Sequence, residues 1–114
     1  MKILIKASGF ELTPSIQEGV EQKLSSLSKF IPANTEPVEL RVEVGMTGKH
    51  HVKGDIFRAE LNLLIHSDLL RVESCKEDLM MAIVDAKDEM QEQIRKYKGK
   101  QADAGRELKK TLRG

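Results

Sequence analysis

Three runs in the middle of the chain alternate apolar and polar residues with a period of two. Val38, Leu40, Val42 and Val44 alternate with Glu39, Arg41 and Glu43; Phe57, Ala59, Leu61, Leu63 and Ile65 form a longer run around Arg58, Glu60 and Asn62; Leu69 to Ser74 is the third. Successive side chains of a strand point to opposite faces, so each run predicts a strand with one buried and one wet face. The tight turn His66-Ser67-Asp68 joins the second run to the third. These three strands are expected to form an antiparallel meander. Residues 2–7 (KILIKA) alternate in the same way, with Ile3, Ile5 and Ala7 on one face, and predict a short further strand.

Two segments switch to helical spacing. Thr13-Pro14 reads as an N-cap followed by proline at the first helical position, with Glu18 in the opening turns. Ile16, Val20, Leu24 and Leu27 then recur every three or four residues, giving an amphipathic helix that ends near Lys29 to Pro32. The second helix is expected from about Lys76 to Lys98, where Leu79, Ile83, Ala86, Met90, Ile94 and Tyr97 keep the period. Beyond Gly99 the apolar period fails, and residues 101–114 read as a basic flexible tail with a weak helical tendency around Arg106–Leu112. The order β-α-β-β-β-α, with every element apolar on one side, predicts an α+β two-layer sandwich with both helices on one face of a four-stranded sheet.

No set of residues carries enzyme chemistry. Gly45, Gly48 and Gly54 do not open a helix with a following Lys-Ser/Thr, as a phosphate loop would. Cys75 lies at a strand-to-helix junction without an assignable base and reads as inert and partly buried. Being the single cysteine, it forms no intramolecular disulfide, which fits a reducing, cytoplasmic compartment. His50 and His51, adjacent in the glycine-bounded loop 45–54, would point apart on a strand and lack companion ligands. With Lys49 and Lys53 they suit contacts to phosphate or sugar, or a plain solvated loop. Met90 keeps the core period, whereas Met80 and Met81 straddle the edge of the stripe; Asp85, Asp88, Glu89 and Glu92 read as a solvated face. No metal, cofactor or small-molecule substrate is expected. No segment approaches the roughly 18 apolar residues of a membrane span.

Charge is the informative property. Residues 95–114 hold eight Lys/Arg (Arg95, Lys96, Lys98, Lys100, Arg106, Lys109, Lys110 and Arg113) against Asp103 and Glu107, a net +6; the rest of the chain nets −5, and the whole +1. Cations near a helix C-terminus favour the helix dipole, but this many exceed that need and suit a polyanion. There is no Trp, and only four aromatic residues, so a stacking platform for single-stranded bases is excluded and shaped RNA fits better.

Several segments resemble the ribosome hibernation promoting factors, also called ribosome-associated inhibitor or sigma-54 modulation proteins. Glu11-Leu12-Thr13-Pro14-Ser15-Ile16 is similar to that family's helix start. Glu77 to Asp85 is similar to its "A-x-x-x-D-M-Y-x-A-I-D" segment, and Gln93 to Lys100 to its "Q-L-x-K-x-K-x-K" ending. The resemblance spans residues 1–100 and is to the short form of the family or to the N-terminal part of a long member. It implies a fold like a double-stranded-RNA-binding domain, docked in the mRNA–tRNA channel of the small ribosomal subunit, monomeric off the ribosome and blocking translation sterically. Lys23 and Lys29 on the first helix, and Lys96, Lys98 and Lys100 on the second, match the family's basic positions; Arg95 adds a charge. Two positions depart from the family: Glu89 and Glu92 stand where it commonly has basic residues, and Met80 stands in place of its tyrosine. Those departures leave a second reading open, a protein-interaction adaptor of the same fold that has lost ribosome binding.

Overall fold

The structure, a computed structural model, describes residues 1–32, 38–46 and 56–113, with side chains as far as Lys100. The elements run β1 (Lys2–Ser8), α1 (Pro14–Ser25), a short 3₁₀ helix (Ser26–Phe30), β2 (Val38–Met46), β3 (Phe57–Ile65), β4 (Asp68–Lys76) and α2 (Leu79–Arg113). The sheet order is β1-β2-β3-β4, with β1 parallel to β2 and the rest antiparallel. A parallel pair needs a crossover, which α1 supplies. The expected α+β sandwich is therefore the observed one.

Register aligns the apolar faces of all four strands. Ile5 opposes Val42, Val42 opposes Leu61, and Leu61 opposes Val72. The helices close this face with Val20, Leu24 and Leu27 from α1 and the 3₁₀ turn, and with Ile83, Ala86, Met90 and Ile94 from α2, all buried in one cluster. The helices lie side by side: a Cβ added to Gly19 would come within 2.8 Å of the Met80 methyl, so a larger residue there would make the tip of that flexible side chain move aside.

Local chemistry sets the boundaries. The Ile16 amide donates to Thr13 Oγ1 at 3.2 Å, and Pro14 opens α1, as the N-cap motif predicts. Gly9 turns the chain at φ 81, and a Cβ there would sit 2.7 Å from the Met46 carbonyl oxygen, so glycine is required. The two-residue hairpin turn between β3 and β4 places His66 at φ 54, the left-handed region that histidine tolerates better than branched residues.

Three expectations change. The second helix starts at Leu79 rather than near Lys76, because β4 runs on to Lys76 and Asp78 caps the helix through the Met81 amide at 3.0 Å. The same extension carries Cys75 out onto the sheet as an exposed free thiol, not a partly buried one. Finally, the backbone stays helical to Arg113, where a frayed tail was expected past Gly99. Residues 101–113 contain no proline, and an interior glycine such as Gly99 or Gly105 costs only about 1 kcal/mol. The Tyr97 hydroxyl donates to Asp68 Oδ2 at 2.9 Å, at the very start of β4, so the later turns of α2 run past the end of the sheet.

Candidate nucleic-acid interface

The basic residues singled out in the sequence fall into three places. Lys49 and Lys53, with His50 and His51, lie outside the described residues. Lys23 and Lys29 are exposed, in the last turn of α1 and in the 3₁₀ turn that follows. Arg95, Lys96, Lys98 and Lys100 are exposed where α2 leaves the sheet.

A helix advances 100° per residue, so the α2 cations do not share one stripe. Lys96 and Lys100 lie on the flank that begins at Asp85, which receives a hydrogen bond from Ser74 Oγ of β4 at 2.6 Å. Lys98 lies on the flank of Met80 and Gln91, which borders α1. Arg95 points away from the core between them. Together they form a collar around the helix, open to a ligand that approaches from its outer side.

Lys23 lines a surface groove of about 480 Å³ together with Lys76 and with Met80, Met81, Val84, Asp85 and Asp88 of α2. Lys87, which sequence reasoning missed, sits half-buried on the α1-facing flank, 3.6 Å from Asp88. Counting three helical turns back from Lys98 would have found it. Lys23, Lys29, Lys98 and Lys100 form no ion pair among the described residues.

Arg95 is different, because its guanidinium donates to Glu92 at 2.8 Å. That hydrogen bond is the main reason the Glu92 carboxyl is held below its ordinary range, with the charges of Arg95 and then Lys96 adding to it; Arg95 shifts upward in turn. One of the two acidic departures thus occupies the very arginine that would add a cation to the collar. Glu89 is exposed on the flank of Lys96.

The opposite face of the sheet carries charge as well, much of it in one arginine–glutamate network. Glu60, only 8% exposed, accepts from Arg58 at 2.6 Å, from Arg71 at 2.8 Å and from Asn62 at 3.2 Å. Arg58 also donates to Glu73 at 2.9 Å. This bond, chiefly, raises Arg58 and lowers Glu73. Lys2 and Lys6 stand in register opposite Glu39 and Glu43. The described residues contain no group of three or more His, Cys, Asp or Glu placed to hold a metal ion, and no helix long and apolar enough to cross a membrane.

Comparison with known proteins agrees with this architecture. The chain is 29% identical over 104 residues to a ribosome hibernation promotion factor of a Picosynechococcus species, covering 88% of this chain and 50% of that protein; the chain thus spans about half the length of its relative. The N-terminal domain of Thermus thermophilus Protein Y superposes with a TM-score of 0.70 at 28% identity, covering 85% of this chain and 99% of that domain. A ribosomal subunit interface protein from Coxiella burnetii shares the fold, with a TM-score of 0.67 at 15% identity over 87% of this chain and 99% of that one. The family model described as sigma 54 modulation protein / S30EA ribosomal protein matches residues 3–102, and the chain belongs to that family.

Proposed function

We propose that this protein silences ribosomes by docking on the RNA of the small subunit, in the channel that messenger and transfer RNAs use. Family membership carries the reading, and the helix layer supplies the chemistry. Exposed lysines at Lys23, Lys29, Lys96, Lys98 and Lys100 are free to replace counterions on a phosphate backbone. With no stacking platform and no catalytic constellation, the expected action is steric: the domain fills the channel and translation stops without any bond being made or broken. The protein would act in the cytoplasm. Residues 1–100 form the ribosome-binding unit in this reading, and the basic residues beyond Lys100 add phosphate contacts.

Co-sedimentation with purified small subunits at low and moderate salt tests this. Binding that weakens with salt, together with inhibition of translation in a purified system, is the expected result. Cutting the chain after Lys100 should lower both affinity and salt sensitivity. Absence of binding at either salt would favour the adaptor reading, which the Glu92–Arg95 pair and the exposed Met81 support.

A further inference from the structure

The outer edge of β4 has no partner strand among the described residues, and its sequence is self-complementary. The two-residue turn closes on Ile65 opposite Asp68, a hydrogen-bonded pair, so the even-numbered residues of β4 bond inward to β3. The amides and carbonyls of Leu69, Arg71, Glu73 and Cys75 therefore point outward at the open edge. An antiparallel copy of β4 centred on Val72 sets Arg71 opposite Glu73 of the second copy, Glu73 opposite its Arg71, and Leu69 opposite its Cys75. Each of these pairs joins two outward-pointing residues and can exchange two backbone hydrogen bonds. On the helix side the same register sets Asp68 opposite Lys76.

Two observations point to a second copy as the occupant. Glu43, Glu60 and Glu73 stand in register across β2, β3 and β4, a row of like charges that runs to the open edge. Within the chain Arg58 and Arg71 bridge Glu60 and Glu73, and in the paired edges the row meets a further arginine, the Arg71 of the second copy. Leu69, 55% exposed, is one of the few large apolar side chains left in water, and pairing covers it against a thiol.

We propose that the chain self-associates through β4, in the register centred on Val72, into a two-fold dimer with a continuous eight-stranded sheet. This departs from the monomer expected from sequence. The two-fold contact is closed, because it consumes both β4 edges and leaves β1, with Lys2 and Lys6, at each end. The helix layer adds charge of both signs: the flank of α2 on this side carries Asp85, Glu89 and Glu92 together with Lys96 and Lys100, and Glu89, closest to the two-fold, opposes the contact. Edge pairing alone also buries less than the roughly 1,200 Å² of stable complexes, so the dimer is weak.

Sedimentation equilibrium of the whole chain up to about 1 mM should show a monomer–dimer equilibrium of low affinity. Glu73→Lys, which sets two cations against each other twice, should abolish it with the fold intact by circular dichroism. Lys76→Asp should weaken association, and D68K/K76D should restore it, which a merely damaged fold would not do. Cys75 is the only thiol, so spin labels there report the register directly. Six residues of strand separate the two Cys75 positions, so the expected distance is about 20 Å, broadened by the labels. A chain monomeric throughout, a dimer with a distance far from this, or a failure of the double variant to recover would each overturn the proposal.

Discussion

The two faces of this sandwich use their charge differently. On the open face of the sheet, Arg58, Arg71, Glu60 and Glu73 satisfy one another, while Lys2 and Lys6 stand only in register with Glu39 and Glu43. On the helix layer, Lys23, Lys29, Lys98 and Lys100 have no carboxylate within ion-pair distance among the described residues. A phosphate gains little from a cation already held by a glutamate, since that partner has to be displaced first. What distinguishes a polyanion-binding surface is therefore not how many cations it displays but how many remain unpaired. On the proposed reading the helix layer is therefore the surface that meets RNA, and the arginine–glutamate network of the sheet face supports the fold.

Substitutions on each face should separate these roles. The largest effect on stability is expected from Glu60→Gln, which removes the charge that three donors converge on and leaves Arg58 and Arg71 poorly paired; denaturant unfolding should show a loss of about 1–3 kcal/mol. Affinity for small subunits should stay unchanged in that variant, and a parallel loss of binding would break the separation of faces. Ser74→Ala should cost about 1 kcal/mol, because half-buried Asp85 loses its hydroxyl partner at the seam between sheet and helix. Glu92→Gln should move stability least while raising affinity severalfold, by releasing Arg95 to the collar.

Acid sharpens the same contrast. Glu73 and Glu92 both titrate below the ordinary carboxyl value of 4.5 in the folded chain, each chiefly through an arginine hydrogen bond. A carboxyl with a lowered folded pKa supports the fold above its unfolded pKa and loses that support as pH falls through the lowered value. Unfolding midpoints should therefore decline as pH drops below about 4.5, and less steeply in Glu73→Gln and Glu92→Gln than in the parent.

Most of the fold was legible because its signals are local. Period-two alternation placed three strands within two residues of their observed ends, and Thr13-Pro14 marked the start of α1. What escaped depends on distant partners or on weak energies. Alternation assigns Glu60 to the wet face, correctly, but cannot show that Arg58 and Arg71 fold over it and exclude water. The length of α2 escaped because its apolar period fails beyond Gly99, and a run of good helix formers can stay helical without an apolar stripe. Cys75 was placed on the wrong side of a boundary by a shift of two residues in β4. At the proposed interface the sequence shows which residues are cationic, but not which are paired; the Glu92–Arg95 pair is the exception, since its three-residue spacing on a helix is visible in the sequence.

The most direct test of the account is the salt dependence of small-subunit binding, measured for the parent chain and for two reversed variants. One variant carries Lys96→Glu, Lys98→Glu and Lys100→Glu on the helix layer; the other carries Lys2→Glu and Lys6→Glu on the sheet face. Each lost phosphate contact lowers the slope of log affinity against log salt by about 0.9 on a duplex, so the helix-layer variant should bind far more weakly with a slope shallower by about 3. The sheet-face variant should match the parent. Equal losses in both variants, or an unchanged slope in the first, would contradict the assignment of the interface to the helix layer.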